Sequence, residues 1–285
     1  MSIISRRQFV HGSLASAASA SLLFARRDKP LRIGITDWNL KLGADPRAIP
    51  FAKELSFDGV QISFGRKIVD GKMPLDNPEV IAKYLSLSRE NSIPIDGTCV
   101  DRLHDNGLKS DKLAPKWVSD SIRMTRQLGV EVLLIPFFGP WALETQIEKD
   151  YTADALRELA PEAQKAGVIL GLENTISAED NARILDKVAS KNLLVYYDVG
   201  NSTKAGFDPV TEIRWLGKRR ICQIHLKDNP NYLGEGSIRF APIMHAIRDI
   251  GFSGFANLET DAHPETLEAD LRRNLIYIRN IMQQA

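Results

Sequence analysis

Several common devices are scarce or missing in this chain. Of its 285 residues only two are cysteine and five histidine. Basic and acidic residues nearly cancel, 37 against 36, for a formal net charge of +1. No surface of one sign is therefore implied, which disfavours nucleic acid as a partner. The apolar stretch near the N-terminus falls short of the roughly 20 residues a membrane span requires. The segment "GITDWNLKLG" (34–43) contains no G-x-G-x-x-G, the phosphate loop expected of an open dinucleotide-binding sheet.

What is present begins with a segment of its own, residues 1–27. "SRRQFV" (5–10) precedes "HGSLASAASASLLFA", a mildly apolar run rich in alanine and serine. A basic start, an apolar middle and small residues near a cleavage point describe an export signal, here cut after Ala20. Arg6 and Arg7 followed by Gln8 and Phe9 resemble a twin-arginine signal. Export to a bacterial periplasm is the expectation, with no stable membrane span after processing.

Beyond it, apolar β-type runs alternate with helical patterns. The runs cover 31–38, 59–64, 93–100, 131–138, 168–175, 193–200, 221–228 and 255–261. Helices are expected over 78–91, 114–128, 152–166, 179–190, 240–250 and 264–282. Glycines in "RQLGV", "QKAGV" and "RDIGFSG" close helices just before the next strand. No linker or charge run divides residues 30–285. Eight strands alternating with helices favour an α/β fold, a single-domain (β/α)8 TIM barrel preceded by the export signal. Cys99 and Cys222 then lie on strands 3 and 7, which are not neighbours, so two free buried thiols are expected, with Cys222 facing the helix layer.

A barrel concentrates chemistry at the carboxyl ends of its strands. Those positions in the second half hold Glu173, Asp198, His225 and Glu259, one per β/α repeat. Side chains alternate along a strand, so Gln223 and Asn257 face inward beneath them, as candidate supports for the carboxylates above. Three carboxylates around one imidazole repel one another unless a cation joins them. One nitrogen and three oxygens suit Mn²⁺, Mg²⁺ or Co²⁺ better than a structural zinc.

The motifs "GLENT" (171–175), "YYDVGNS" (196–202), "IHLKD" (224–228), "GEGSIRF" (234–240) and "NLET" (257–260) resemble the xylose isomerase-like sugar isomerase/epimerase barrels. Ketose 3-epimerases, inosose dehydratases and hydroxypyruvate isomerases belong to that group. "FDGVQIS" looks like the family's second strand, with Gln61 where an acidic residue is common. The resemblance implies one divalent ion, Mn²⁺ first and Mg²⁺, Co²⁺ or Zn²⁺ as alternatives, on Glu173, Asp198, His225 and Glu259. It also implies that Glu173 and Glu259 move protons on opposite faces of a substrate. Two departures stand out. Asp198-Val-Gly-Asn201 replaces the epimerases' usual Asp-x-x-His, and "LKDNPNYLGEG" lacks the arginine they often place after the strand 7 histidine. Asn201 and Lys227 become candidate substrate contacts in their stead, and Lys227 could equally be a loop charge paired with Asp228. His104, Asp37, Trp141 and Glu235 are further candidates near strand ends. With five histidines and balanced charge, the chain resembles the histidine-rich barrel nucleases of DNA repair much less.

The expected function is a metal-dependent sugar or polyol isomerase/epimerase working through an enediolate. The alternatives are a lyase or hydratase for oxidised (3-keto) glycosides or inososes, and a non-catalytic sugar-binding barrel. The expected partner is a small carbohydrate or polyol, and a homo-oligomer is compatible with the sequence.

Overall fold

The computed structural model describes residues 30–284. The export-signal expectation, residues 1–27, lies outside them. Each apolar run forms a strand somewhat shorter than the run itself. The first half comprises β1 (Arg32–Thr36), α1 (Ala48–Glu54), β2 (Val60–Ser63), α2 (Pro78–Asn91), β3 (Ile95–Cys99), α3 (Ala114–Gln127) and β4 (Val132–Pro136). Next come α4 (Gln146–Ala166), β5 (Ile169–Glu173), α5 (Ala178–Val188), β6 (Leu193–Asp198), α6 (Val199–Lys204) and α7 (Pro209–Leu216). The chain closes with β7 (Ile221–Leu226), α8 (Phe240–Asp249), β8 (Phe255–Leu258) and α9 (Leu267–Gln284). All neighbouring strands are parallel, and β8 pairs with β1 to close the barrel.

The sequence misses α1, α6 and α7, which are too short to show helical periodicity. It also starts α4 a turn and more late, because the starting signal lies at Thr145. The Thr145 hydroxyl accepts the Glu148 N–H while the Glu148 carboxylate accepts the Thr145 N–H, a capping box. The Ser177 hydroxyl and the Asp208 carboxylate cap α5 and α7 by accepting first-turn N–H groups, without the reciprocal bond. Among the described residues, no helix is long and apolar enough to cross a membrane.

Alternation along the strands splits the apolar residues into two layers. Leu133 and Ile135 of β4 join Ile33, Ile35, Ile62, Leu170 and Leu172 in the large core between sheet and helices. Fully burying such a side chain stabilises by about 1.5–3 kcal/mol, so this outer layer carries most of the fold. Inside the barrel the apolar cluster is small: Cys99, Val132, Leu134 and Tyr196, with Trp38 and Cys222 against it. Cys222 thus turns inward, contrary to simple alternation. Val195 pairs with Ile221 but Tyr196 with Gln223, so a bulge in β7 resets its facing. Both cysteines are free thiols, as expected.

Much of the remaining interior is polar, and it needs room. A Cβ on Gly34 would collide with the Asn257 amide and the Asp96 carboxylate. Gly34→Ala should therefore lose about 1–3 kcal/mol through overpacking. Urea unfolding at equilibrium measures it, and a variant as stable as the parent would show that the interior can give way.

Candidate active site

Glu173 ends β5, Asp198 ends β6 and His225 sits one residue before the end of β7. Glu259 follows β8 directly, its N–H donating to the Leu226 carbonyl and so extending the strand pairing by one step. Because barrel strands are tilted and staggered, these positions converge on the axis. His225 is fully buried, and Glu173 and Asp198 nearly so.

His225 Nδ1 is the hub. It lies 2.8 Å from Glu173 Oε1, 3.6 Å from Asp198 Oδ2 and 3.6 Å from Glu259 Oε2. The four residues each offer a ligand atom, all within 4.8 Å of one another. One imidazole nitrogen and three carboxylate oxygens so gathered fit a hard divalent ion. Asp198 Oδ1 also accepts the Asn201 N–H at 2.7 Å, which caps α6 and fixes the carboxylate.

Lys227 joins the same cluster. Its Nζ reaches Asp198 Oδ2 at 2.9 Å and Glu259 Oε2 at 2.5 Å, rather than pairing with Asp228. Asp228 instead accepts the Ile238 N–H. On the other side of Glu259, the Trp38 indole N–H donates to Oε1 at 3.0 Å. Glu259 is thereby held at both oxygens, whereas Glu173 meets only the imidazole at one.

The electrostatics follow. Burial pushes Glu173 up to about 7, against the pull of the His225 charge. Burial would also raise Asp198, but the Lys227 ammonium and His225 outweigh it and hold the carboxyl well below its usual range. For His225 burial favours the neutral ring, yet the charges of Glu173 and Glu259 and the Asp198 contact raise it to about 10.

A cavity of about 510 Å³ opens over this cluster. Glu173, Glu259, Lys227, Asn201 and His104 line it, with Trp38, Arg66, Cys99, Asp101 and the apolar wall of Leu134, Pro136 and Phe138. Among the described residues, the Asn201 Nδ2 has no hydrogen-bond partner. His104 stacks on Phe138 with 6.2 Å between ring centroids, and burial holds its imidazole below the ordinary value.

Three expected substrate contacts lie elsewhere. Asp37 is fully buried and its Oδ2 accepts the N–H groups of Ala44 and Ser63, so it ties loops together instead of facing the cavity. Trp141 packs against Gly107 and donates its indole N–H to the His104 carbonyl, buttressing the wall from behind. Glu235 is exposed and paired with Arg273 of α9. The segment carrying it is bound down: Tyr232 donates to Asp270, the Leu233 N–H to Asn274, and Asn229 spans the Glu259 carbonyl and the Asp261 N–H. Gln223 and Asn257 are inward, but their amides donate to Asp96, not to the ligand carboxylates. The contact that reaches His225 Nε2 is Gln61 Oε1, at 2.8 Å. Arg66 and Asp101 carry no motif; Asp101, raised to about 6 mainly by burial, shows only as a charge just past a strand.

A profile of the xylose isomerase-like TIM barrel matches residues 49–281. The chain belongs to that family. Among curated relatives, the 2-epi-5-epi-valiolone 7-phosphate 2-epimerase of Actinoplanes sp. is 29% identical over 205 residues, 70% of this chain and 73% of that one. Among solved structures, the D-psicose 3-epimerase of Clostridium cellulolyticum H10 superposes with a TM-score of 0.74 at 18% identity, covering 88% of this chain and 99% of the other. The 3-keto-D-glucoside 4-epimerase of E. coli gives 0.70 at 16%, covering 88% and 99%.

A group whose folded pKa is raised stabilises while it is protonated. In protein stripped of divalent ions by chelation, the contribution of His225 is complete below about 6.5 and lost as pH rises through about 10. Glu173 acts in the same sense up to about 7. Stability from urea unfolding should therefore fall steadily between neutral and alkaline pH, and His225→Gln should flatten the alkaline part. A flat profile in the parent would contradict the raised imidazole.

Proposed function

We propose that this protein is a divalent-metal-dependent isomerase or epimerase of an unphosphorylated carbohydrate or polyol. The observation that carries the reading is the pair of carboxylates, Glu173 and Glu259, that flank one imidazole nitrogen and line one cavity. Both named enzymes among the solved structures and the curated relative act as epimerases, which supports the same class of reaction here. Glu173, Asp198, His225 and Glu259 would hold the ion. When bound, it would polarise a carbonyl and so acidify the C–H of the adjacent, hydroxyl-bearing carbon.

The chain's own groups do the rest. Glu173, raised towards neutrality and without a second partner, is suited to take or give a proton near pH 7. Glu259, aimed by Trp38 and Lys227, faces the substrate from another strand and serves the opposite side. Lys227 offers an ammonium to a developing enolate oxygen, and Asn201 offers its free amide N–H to a hydroxyl. Phe138 and His104 provide a flat wall on which a sugar ring can rest. An export signal, as expected from residues 1–27, would set the protein in the periplasm, which is why an unphosphorylated substrate is preferred.

The cavity's size favours a second reading. About 510 Å³ lies within the range that encloses drug-sized ligands, more than a single sugar ring needs, and its apolar wall suits an aglycone. Proton abstraction beside a 3-keto group, followed by loss of the β-substituent, would make the protein a lyase for oxidised glycosides.

Incubation with keto sugars in D₂O should place deuterium at an α-carbon, and chelation should abolish the exchange. Glu173→Gln and Glu259→Gln should each lower turnover by at least about 10²-fold. Elimination products from a 3-keto-glycoside would favour the lyase. Binding without any exchange across the panel, in metal-loaded protein, would leave a sugar-binding barrel and end the enzymatic reading.

A further inference from the structure

The ion-binding reading requires His225 to present a lone pair at Nδ1, and so to carry its proton at Nε2. Among the described residues, the hydrogen-bond partner at Nε2 is the Gln61 amide, which can accept or donate depending on which end faces the ring. Gln61 therefore does not decide the tautomer by itself. Something must decide which way Gln61 points.

The structure supplies it at the other end of the barrel interior. Asp96 Oδ1 takes two amide N–H groups, from Asn257 Nδ2 at 2.9 Å and from Gln223 Nε2 at 3.1 Å. A carboxyl oxygen accepts whether or not its partner oxygen is protonated, so this end has fixed polarity. Asn257 must then present its NH₂, whose second hydrogen points at the Tyr196 hydroxyl, 3.1 Å away, with Gln61 Oε1 as a longer acceptor at 3.4 Å. With its oxygen accepting from Asn257, Tyr196 sends its own proton to Gln61 Oε1 at 3.0 Å. That oxygen thus faces both Tyr196 and His225, and the Nε2 of the imidazole must be the donor. Gln61 Nε2 has no partner among the described residues, but reversing the amide would aim its NH₂ at Tyr196 and at His225 and leave the buried phenol proton without an acceptor.

Asp96 reaches this position by a bulge. Val60 pairs with Ile95 but Gln61 with Gly97, so β3 carries an extra residue at Asp96 and turns it inward. Gly34 on β1, beside β8 and two strands from β3, leaves the space that Asp96 and Asn257 fill.

We propose that Asp96 is a positioning residue, which sets the tautomer of His225 through Asn257, Tyr196 and Gln61 and so prepares the ring nitrogen that meets the ion. This rests on the reading of Glu173, Asp198, His225 and Glu259 as a divalent-ion site. Groups behind a ligating histidine commonly change metal affinity by about 10- to 100-fold. None of Asp96, Asn257 or Tyr196 lines the cavity, so the effect is on the ion rather than on substrate contacts.

The test is calorimetric titration of Mn²⁺ into the full chain after chelation. Asp96→Leu, which removes the acceptor, should weaken Mn²⁺ about 10- to 100-fold. Asp96→Asn can still offer an oxygen to both amides and should stay near the parent. Gln61→Glu makes position 61 an acceptor without help from Asp96, so adding it to Asp96→Leu should restore the affinity of Gln61→Glu alone. Tyr196→Phe breaks the chain at a second point. With only the longer Asn257–Gln61 contact left, it should show a loss in the same direction and the same rescue, and serves if Asp96→Leu does not fold. Nitrogen NMR of ¹⁵N-histidine protein loaded with Zn²⁺ reads the tautomer directly: an N–H at Nε2 of His225 in the parent, lost in the impaired variants. Parent-like affinity in the Asp96→Leu and Tyr196→Phe proteins, equal loss in Asp96→Asn, or failure of the rescue would overturn the proposal. Failure of the parent itself to bind Mn²⁺ would instead overturn the ion site, and this role with it.

Discussion

Three carboxylates brought within reach of one buried imidazole nitrogen are the constraint on which the rest of the molecule turns. Like charges at such separations repel strongly where water is excluded, and the fold must supply counter-charge or lose them to protonation. Two cations do this in the protein: the ring of His225 and the ammonium of Lys227, which bridges Asp198 and Glu259. The three acids consequently differ. Asp198 is held ionised by the lysine, Glu259 is gripped at both oxygens, and Glu173 is left with burial as the dominant influence. A site that must move protons near neutral pH gains from such inequality, since one group can hold a proton while another remains charged.

The outer core makes this concentration of polarity tolerable. Apolar side chains between strands and helices supply the stabilisation, which frees part of the barrel's inside for polar work. That inside is layered. Ligand groups stand at the top; beneath them run the linked side chains of Gln61, Tyr196, Asn257, Gln223 and Asp96. Two strand irregularities, at Asp96 and at Cys222, adjust which residues face the axis.

The top layer is legible in the sequence because each ligand closes an apolar run, and the runs recur at the spacing of one β/α unit. The barrel is legible for the same reason. Asp96 is not, because strict alternation counted from Cys99 puts it among the helices, and a one-residue bulge leaves no local signature. Asp37 shows a different limit. Its place at a strand end is right for chemistry, but the decision between facing the cavity and accepting backbone N–H groups depends on loops far apart in sequence. Glu235 and Trp141 sit on suitable loops and are turned away by partners on α9 and at His104. Lys227 is the converse: one charge in "HLKD" whose role becomes visible only when Asp198 and Glu259 arrive from other strands.

The segment after β7 has a consequence for how such a protein can diversify. Asn229, Tyr232 and Leu233 fasten it to the β8 end and to α9, so the loop that leaves the charged half of the barrel is bolted in place. The opposite wall, from Trp38 through Arg66, His104 and Phe138, comes from loops of the first half and shares only the Trp38 contact with the ligands. On the proposed function, chemistry and selection would be housed in different halves of one chain. New substrates could be accommodated by exchanging the loops after β2, β3 and β4, with the acid–imidazole centre kept as it stands.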